Sequence, residues 1–497
     1  MGSLVNTPNH QQVCWSVTDA TGRPVPAIGD AKKRDRSSEA EAYRRLIPFI
    51  HQPGYNPKDE TLSPHPILTD ESFLLLLRYT HDALVKAVIN IVDRWWTDTE
   101  ARFPARMPLE APVEAALQWI DEQSRNHKFP KFKHRLGNWR PDFLLTGNDS
   151  AMGAGFQICE INSRTPDNVV LCSAHKHRKM RQLMGPRSVV QPTGDFDDWA
   201  DSLLRLFQPH LSIHILRGRD KLDRQEFVQT VHRRTGICPR FVNLDDLELK
   251  DDASSATGYS LYSRDQGLGG CEKIHQVVST LFPDEFGFLS QDMLRSLATV
   301  VVNDLRVSLL VNDERFLGII LQELNSLVIN HDALTPDEAN ALQQGIVPTL
   351  LPGSPELKQW IERSQQGEVS KDRYILKAAR QSRGRGHLLG ADLSPQEWAG
   401  IMLDMQDPSI RPGVTSHVLQ PFVRQVEFDI IGDEDDEIRG SRMVGCYYTT
   451  NGRFLGLGPW RSSRGEICNV YGGLGCVGLY SVTQAKMDGG LHKSIHR

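Results

Sequence analysis

Strand-like segments occur in three separate blocks of this chain, and predominantly helical stretches separate them. The first block contains WRPDFLLT (139–146) and GFQICEIN (155–162), the second runs from 210 to 275, and the third begins near residue 374. Between the blocks, long segments repeat apolar residues at helical spacing, as in 69–124. The sequence therefore predicts a mixed α/β fold of the α+β class.

Length and composition narrow the class of protein. A chain of 497 residues exceeds what one cooperative core normally holds, so we expect several domains. The net charge of −5 offers no basic surface for nucleic acid. The eight cysteines form no C-x-x-C pair, which favours a reducing compartment, and no apolar run approaches the ~18 residues of a membrane span. We expect a cytoplasmic protein that binds neither nucleic acid nor membrane.

Glu160 and Asn162 end a strand segment side by side. They share one face of it, because alternate residues of a strand point the same way. Two neighbouring side-chain oxygens suit a hard divalent cation. An ordinary strand end offers the same oxygens to a turn, so the residues alone leave both interpretations open.

A lysine and a glycine-containing loop follow in the third block, in YILKAARQSRGRGHLLG (374–390). Lys377 ends a strand, and a loop with Gly384 and Gly386 can lay backbone N–H groups over phosphate oxygens. The spacing is not GxxxxGK[ST], so this is not a P-loop. A solvated surface loop is the alternative.

The segment VLQPFV (418–423) offers a further candidate. Around Gln420, Phe422 and Val423, backbone N–H and C=O groups could bind an adenine edge between apolar walls. The alternative is a plain strand that Pro421 kinks.

The order of these segments resembles that of the ATP-grasp superfamily, in which two α+β lobes hold ATP between them. A lysine strand, a glycine loop, the Q-P-F-V segment and the acidic strand VEFDI follow one another, whereas the E-x-N pattern lies far N-terminal, at 160–162. An R-x-D pattern precedes it, at Arg140 and Asp142. This permuted order resembles eukaryotic glutathione synthetases and glutathionylspermidine synthetases, and LLPGSPE (350–356) adds to the resemblance. It implies an ATP-grasp fold with permuted motif order and a helical N-terminal region.

The resemblance implies a role for each matching residue, with ATP and Mg²⁺ as cofactors. The implied metal ligands are Asp142, Glu160 and Asn162. The implied ATP-binding residues are Lys377, Gln381, Gly384, Gly386, Gln420, Phe422 and Val423. The implied catalytic residues are Arg140, Lys377 and Arg461. The implied substrate-binding residues are Arg164, Arg461, Gly472 and Gly473, of which the two glycines would close over the substrate.

Two departures from the family pattern stand out. Gln381 occupies a place where the glutathione synthetase group usually carries an acidic magnesium ligand. Those families also use a second lysine on the helical approach to the ATP site, but no lysine occurs between Lys273 and Lys358. The arginines that could neutralise phosphates instead are Arg315, Arg380, Arg383 and Arg385.

The chemistry that the resemblance implies is ligation: a carboxylate takes the γ-phosphoryl group of ATP, and an amine then displaces phosphate to form an amide. We expect an ATP- and magnesium-dependent carboxylate–amine ligase with small-molecule substrates, specialised for a peptide or a secondary metabolite rather than for glutathione. The alternative is a non-catalytic nucleotide-binding or regulatory relative. A kinase is disfavoured because the chain has no H-R-D or D-F-G set. A homodimer stays open.

The same reasoning predicts how the chain divides. The predicted segments are a mainly helical N-terminal region (1–130), core strands with the R-x-D and E-x-N motifs (131–200), an inserted α/β substrate subdomain (201–290), a helical part of the core (291–370) and a lid and nucleotide-binding lobe (371–497).

Overall fold

The structure is a computed structural model of the whole chain. The residues that it describes are 10–45, 60–147, 155–165, 168–186, 188–219, 224–264, 271–381, 384–411, 413–432, 435–463, 465–468 and 476–484.

Helices are spread along the chain between the strand blocks. Within the described residues they are α1 (Lys33–Arg44), α2 (Glu71–Asp93), α3 (Phe103–Arg106), α4 (Ala111–Arg125), α5 (Asn168–Met184), α6 (Phe196–Leu204), α7 (Gln225–Thr235), α8 (Pro283–Phe286), α9 (Gln291–Val300), α10 (Arg315–Ile329), α11 (Pro336–Gly345), α12 (Pro355–Gln365) and α13 (Pro395–Asp404).

The strands begin earlier in the chain than the sequence predicts. They are β1 (Gln11–Thr18), β2 (Pro24–Pro26), β3 (Glu60–Leu62), β4 (Ile67–Leu68), β5 (Asn138–Leu145), β6 (Phe156–Asn162), β7 (Val190–Pro192), β8 (Ile213–Arg217), β9 (Arg240–Asn243), β10 (Leu247–Asp251), β11 (Tyr259–Arg264), β12 (Cys271–Lys273), β13 (Gln276–Ser279), β14 (Tyr374–Ala378), β15 (Leu388–Leu389), β16 (His417–Pro421), β17 (Glu427–Ile431), β18 (Glu437–Thr450), β19 (Arg453–Leu457), β20 (Trp460–Ser463), β21 (Cys476–Leu479) and β22 (Ser481–Gln484).

A central sheet joins strands from distant parts of the chain. Its strand order is β3-β21-β20-β18-β5-β6, and β17 and β19 also pair with β18. The predicted neighbours β5 and β6 are antiparallel partners, as expected. Asn451 and Gly452 link β18 to β19 with φ angles of 48° and 77°, as in an Asn-Gly hairpin turn. The mixed α+β prediction is therefore confirmed.

The core lies between the central sheet and α2. Phe73 of α2 contacts Phe143 of β5 and Phe156 of β6, with ring centroids 5.9 Å and 5.7 Å apart. These rings are almost fully buried and belong to one continuous apolar cluster that extends into α10. Because apolar residues recur at helical spacing in α2, one face of the helix can cover the sheet. This packing fixes the ends of β5 and β6.

Two smaller layers flank the core. In the inserted layer, β13, β8 and β9 are parallel, and α7 connects β8 to β9. In the lid, β14 pairs with β15 and β16, and α12 and α13 cover this sheet. The strands β8 and β9 lie within the predicted second block, and β14 begins the predicted third block at residue 374. Leu350 and Leu419 exchange backbone hydrogen bonds that join the lid to the helical segment before it.

The described part of the N-terminal region holds the helices α1, α2, α3 and α4, and it also contributes strands. Among these, β1, β2 and β4 form a sheet with β22 and β7. These pairings join residues near both chain ends, so the local sequence pattern around each strand does not predict them.

None of the helices among the described residues combines the length and the apolar character needed to cross a membrane. The segment boundaries stay predictions.

Candidate active site

Pairing of β5 with β6 collects the predicted motifs at one end of the central sheet. Arg140 lies opposite Asn162, and Asp142 lies opposite Glu160. Directly opposed residues of antiparallel strands present their side chains on the same face. The R-x-D and E-x-N patterns thus form a single polar cluster, although seventeen residues lie between Asp142 and Glu160 in the chain.

Asp142 is the link between two arginines. Its carboxylate accepts from Arg140 Nε at 2.9 Å and Arg140 Nη2 at 3.1 Å, and from Arg461 Nη2 at 2.5 Å. Arg461 arrives on β20, which pairs with the same strand, β18, as β5 does. Burial raises the pKa of the Asp142 carboxyl, and Arg140 and Arg461 oppose that shift.

Asp142 was expected to be a magnesium ligand. Both of its carboxylate oxygens accept hydrogen bonds from guanidinium groups, so Asp142 brings Arg140 and Arg461 together. A role for Asp142 in metal binding stays a prediction.

Glu160 and Asn162 fit a magnesium ion by donor chemistry. Asn162 Nδ2 donates to Glu160 Oε1 at 2.8 Å, so the amide and the carboxylate are held together. Burial alone would raise the pKa of Glu160, but Lys377, Asp142 and Asn162 hold it well below its usual range. An ionised carboxylate beside an amide is a donor set that Mg²⁺ accepts.

Lys377 of β14 reaches this cluster from the lid. Its Nζ donates to the carbonyl oxygen of Cys159 at 2.8 Å and lies 3.7 Å from Glu160 Oε2. The side chain is almost fully buried. Burial would lower the pKa of Lys377, but its acidic neighbours raise it, so the ammonium group stays charged. The predicted lysine and the predicted metal ligands therefore meet.

Glu314 is a member of the cluster that sequence reasoning missed. Its Oε2 accepts from Lys377 Nζ at 3.1 Å, and its backbone N–H donates to Ala379 O. Burial raises the pKa of the Glu314 carboxyl to about 8, although Lys377 opposes the shift. Two carboxylates share one ammonium here, and Glu160 carries the charge. In NDERFLG, Glu314 reads as an ordinary acidic residue at a helix start, and nothing local indicates that Lys377 faces it.

The arginines that were expected to replace the missing lysine are engaged elsewhere. Arg315 is fully buried and donates to both oxygens of Asp313, at 2.9 Å and 2.7 Å. Arg380 forms an ion pair with Glu110. Arg385 is exposed, and Arg383 lies outside the described residues. A role for Arg315 or Arg380 in neutralising phosphates stays a prediction.

The glycine loop folds back over Lys377. Leu388 of β15 pairs with Leu376 of β14, so the loop returns beside the strand that it left. A Cβ at Gly386, whose φ is 70°, would lie 2.9 Å from the Cβ of Ala378. His387 follows, and burial and Lys377 lower its pKa to about 4. His387 is thus a second residue near the site that the sequence did not reveal.

Gln381, which occupies the place of an acidic magnesium ligand, and Gly384 lie at the start of this loop. Gln381 is exposed at the end of the lysine strand, and Gly384 has a φ of 67°. No contact in the described part of the chain joins Gln381 to Glu160 or Asn162. A role for Gln381 in metal binding stays a prediction.

The predicted adenine segment is partly used for packing. The Gln420 side chain is buried and donates to Thr349 Oγ1 at 3.0 Å. The backbone N–H of Phe422 donates to Arg373 O at 2.7 Å, so it is not available to a base. Val423 follows outside the strand, half-buried. An adenine contact through Phe422 N–H is therefore not supported.

Arg164 extends from the E-x-N strand toward the inserted layer. Its Nη1 donates to Thr280 O at 2.5 Å, and its guanidinium lies 3.9 Å from the ring centroid of Phe282. Both partners follow β13. Arg164 thus connects the cluster to the inserted layer. Gly472 and Gly473 lie outside the described residues.

A separate cavity shows that size alone would not locate this site. It has a volume of about 800 Å³ and lies beside α10 and α12. Its lining includes Asp98, Arg106, Glu323 and most of the LLPGSPE segment, but none of the residues predicted to bind metal, ATP or substrate. The candidate active site is identified by its converging charges instead.

Comparisons with known proteins match much of this chain. A family described as "AnkG N-terminal domain" matches residues 80–310, which include β5 and β6. The "ATP-grasp enzyme ankG" of Aspergillus thermomutatus is 36% identical over 486 residues, which cover 93% of this chain and 98% of that protein. The apo structure of a glutathione synthetase-like effector (GSS30) from Globodera pallida is similar in fold, with a TM-score of 0.51, 11% identity, and coverage of 93% of this chain and 99% of that chain.

Proposed function

Because this chain belongs to the family of ATP-grasp enzymes, we propose that it is an ATP- and magnesium-dependent ligase that joins a carboxylate to an amine. In the proposed reaction a substrate carboxylate attacks the γ-phosphorus of ATP and releases ADP. The amine then attacks the acyl carbon, the C–N bond forms, and phosphate leaves. We propose a specialised peptide or small-molecule ligase rather than a glutathione synthetase.

The observation that carries this proposal is the meeting of Lys377 with Glu160. Their Nζ and Oε2 atoms are 3.7 Å apart, although the two strands lie in separate layers and far apart in the chain. A fixed ammonium group beside a carboxylate–amide pair offers positive charge and metal-binding oxygens at one point. Phosphoryl transfer depends mainly on such positioning and charge.

Glu160 and Asn162 would hold the magnesium ion. When bound, the ion would neutralise phosphate charge and align the phosphates. Lys377 would contribute a further positive charge from the lid side. Its burial keeps water away from that charge, which strengthens its electrostatic effect.

Arg140 and Arg461 are suited to bind the substrate carboxylate. Asp142 engages one edge of each guanidinium group, which fixes their orientation. The Nε of Arg461 is buried and has no hydrogen-bond partner among the described residues. A buried N–H without a partner favours an anionic ligand at that position. The pair would hold the carboxylate in line with the phosphoryl group and stabilise its developing charge.

The test is a search for ATP-dependent condensation. The purified protein is incubated with ATP, Mg²⁺ and pools of acids and amines, and products are identified by mass spectrometry as acid plus amine minus water. Glu160→Gln should lower turnover by about a hundredfold or more, because it removes the charged metal ligand. Lys358→Met, an exposed lysine on α12, is the control and should retain full turnover. ATP consumption that yields only a phosphorylated acid, with no amide from any pair, would exclude the ligase.

A nucleotide-binding protein without turnover is the second candidate. It is favoured by Glu314, which places a carboxylate rather than a second cation against Lys377. Calorimetry separates the two candidates. ATP binding that occurs without product formation, and that is unchanged in Glu160→Ala, would support the non-catalytic protein.

A further inference from the structure

A second cluster of potential metal ligands lies outside the candidate active site. Cys14 of β1, Glu39 of α1 and His65, which precedes β4, place one ligand atom each within 4.8 Å of one another. All three side chains are at most 1% exposed. Because they come from three separate elements, tertiary packing alone brings them together.

The carboxylate and the imidazole are held in a defined orientation. Glu39 Oε2 lies 3.1 Å from His65 Nδ1, and Glu39 Oε1 accepts from the backbone N–H and the hydroxyl of Ser16 at 2.7 Å and 2.5 Å. His65 Nε2 is buried and has no hydrogen-bond partner among the described residues. The ring nitrogen that faces the carboxylate is Nδ1, so Nδ1 is the atom that would bind an ion together with Glu39.

The thiol of Cys14 completes the set. Its Sγ lies within 4.8 Å of the ligand atoms of Glu39 and His65. A bound divalent cation would displace the thiol proton, because it stabilises the thiolate and the carboxylate together.

We propose that Cys14, Glu39 and His65 bind a structural divalent transition-metal ion, with Zn²⁺ as the best match. Sulfur, imidazole nitrogen and carboxylate oxygen are the ligand types of zinc sites, whereas Mg²⁺ takes oxygen ligands. Binding replaces the proton of the Cys14 thiol by the ion. A water molecule would take the fourth tetrahedral position. Because all three side chains are buried, the ion would hold the surrounding elements together rather than meet a substrate.

The position of the cluster indicates what the ion would stabilise. It would tie α1 to β1 and to the segment before β4, and β4 pairs with β22 near the other end of the chain. This sheet has short strands, and its apolar clusters are small. A metal crosslink between its parts would limit their local opening. The role is independent of the proposed ligase reaction.

The test measures metal content and cysteine coordination in the full-length protein. We expect about one zinc ion per chain after purification, as for structural zinc sites. Replacement by Co²⁺ should produce the near-ultraviolet absorption of a thiolate–cobalt bond. Cys14→Ser should lose this absorption and the bound metal, whereas Cys172→Ser, a half-buried cysteine on α5, should retain both.

Two further variants cover the case in which Cys14→Ser does not fold. His65→Gln and Glu39→Gln should each weaken zinc binding at least tenfold and abolish the increase in melting temperature that zinc causes in the unmodified protein. The proposal is overturned if the unmodified protein, stripped by a chelator, binds neither Zn²⁺ nor Co²⁺ stoichiometrically. It is also overturned if bound Co²⁺ lacks the thiolate absorption.

Discussion

At the scale of single residues, the candidate active site is a balance of charge around Lys377. One ammonium group faces two carboxylates, Glu160 and Glu314, at 3.7 Å and 3.1 Å. A second balance lies beside it, where Asp142 is shared by Arg140 and Arg461. The two groups differ in charge: Lys377 is one cation between two acids, whereas Asp142 is one acid between two cations. A phosphate group would approach Lys377, and a substrate carboxylate would approach Arg140 and Arg461.

Replacement of Glu314 by Gln tests the first balance through pH. Burial raises the pKa of Glu314 to about 8, so above pH 8 the unmodified protein gains a negative charge beside Lys377. ATP affinity should therefore fall between pH 7 and pH 9, by about tenfold, which is about 1.4 kcal/mol. In Glu314→Gln the affinity should stay level over the same range, as measured by calorimetry.

A matched variant checks that the effect is local. Glu323 is a buried carboxylate that pairs with Arg94 and Arg106 away from the site. Glu323→Gln should lower stability but leave the pH dependence of ATP binding as in the unmodified protein. If ATP affinity falls with pH in Glu314→Gln as much as in the unmodified protein, Glu314 is not the group that causes the pH dependence.

At the scale of elements, the loop between β14 and β15 shapes the surroundings of Lys377. It carries the expected glycines and returns beside its own strand, which brings His387 toward Lys377 and Glu160. The lid sheet that bears it has its own apolar cluster, and a mutual pair of backbone hydrogen bonds joins it to the helical segment. A lobe with a separate core can carry Lys377 as one unit.

Gly386→Ala tests whether this loop positions the phosphate site. The added methyl group would lie 2.9 Å from the Cβ of Ala378, and the alanine backbone would have to adopt a φ of 70°. We expect the loop to shift and ATP affinity to fall about tenfold, with about 1 kcal/mol of lost stability from backbone strain. Calorimetry and denaturant unfolding measure the two effects.

Gly367→Ala is the control for backbone strain. Its φ is 78°, yet a Cβ at that position meets nothing within 4 Å. This variant should lose similar stability and bind ATP normally. If both variants bind ATP equally well, the loop does not shape the site.

At the scale of the whole molecule, buried histidines make the fold sensitive to acid. Burial lowers the pKa of His10 to about 4 and that of His177 to about 3. The unfolded chain binds these protons near the ordinary histidine pKa of about 6.5, so below pH 6.5 it binds more protons than the folded chain. The free energy of unfolding should therefore fall as the pH drops from 6.5 toward 4.

His177→Leu tests this source of acid sensitivity. His177 is fully buried against Trp199 and Tyr480, and neither ring nitrogen has a hydrogen-bond partner among the described residues. The variant should lose stability less steeply between pH 6.5 and pH 4 in denaturant titrations. His232→Leu, an exposed change on α7, should keep the slope of the unmodified protein. Identical slopes in all three proteins would contradict the prediction.

The sequence by itself determined much of the local structure and the family. Alternating apolar and polar residues and short apolar runs located β5, β6 and β14. A strand with one buried face places apolar residues at every second position, so the sequence shows this pattern directly. The same alternation put Glu160 and Asn162 on one face, and the Asn451–Gly452 pair specified its hairpin. Motif order then indicated the ATP-grasp fold, which the relatives confirm.

Only the tertiary structure decided which charges meet. The predicted metal ligand Asp142 also accepts a hydrogen bond from Arg461, which β20 brings to it. Glu314 read as a helix-start residue, but packing of α10 against the lid turns it toward Lys377. Cys14, Glu39 and His65 carry no shared pattern until β1, α1 and β4 assemble. Contacts between distant segments determine which side chains pair with a buried charge, and such contacts produce no repeating pattern in the local sequence.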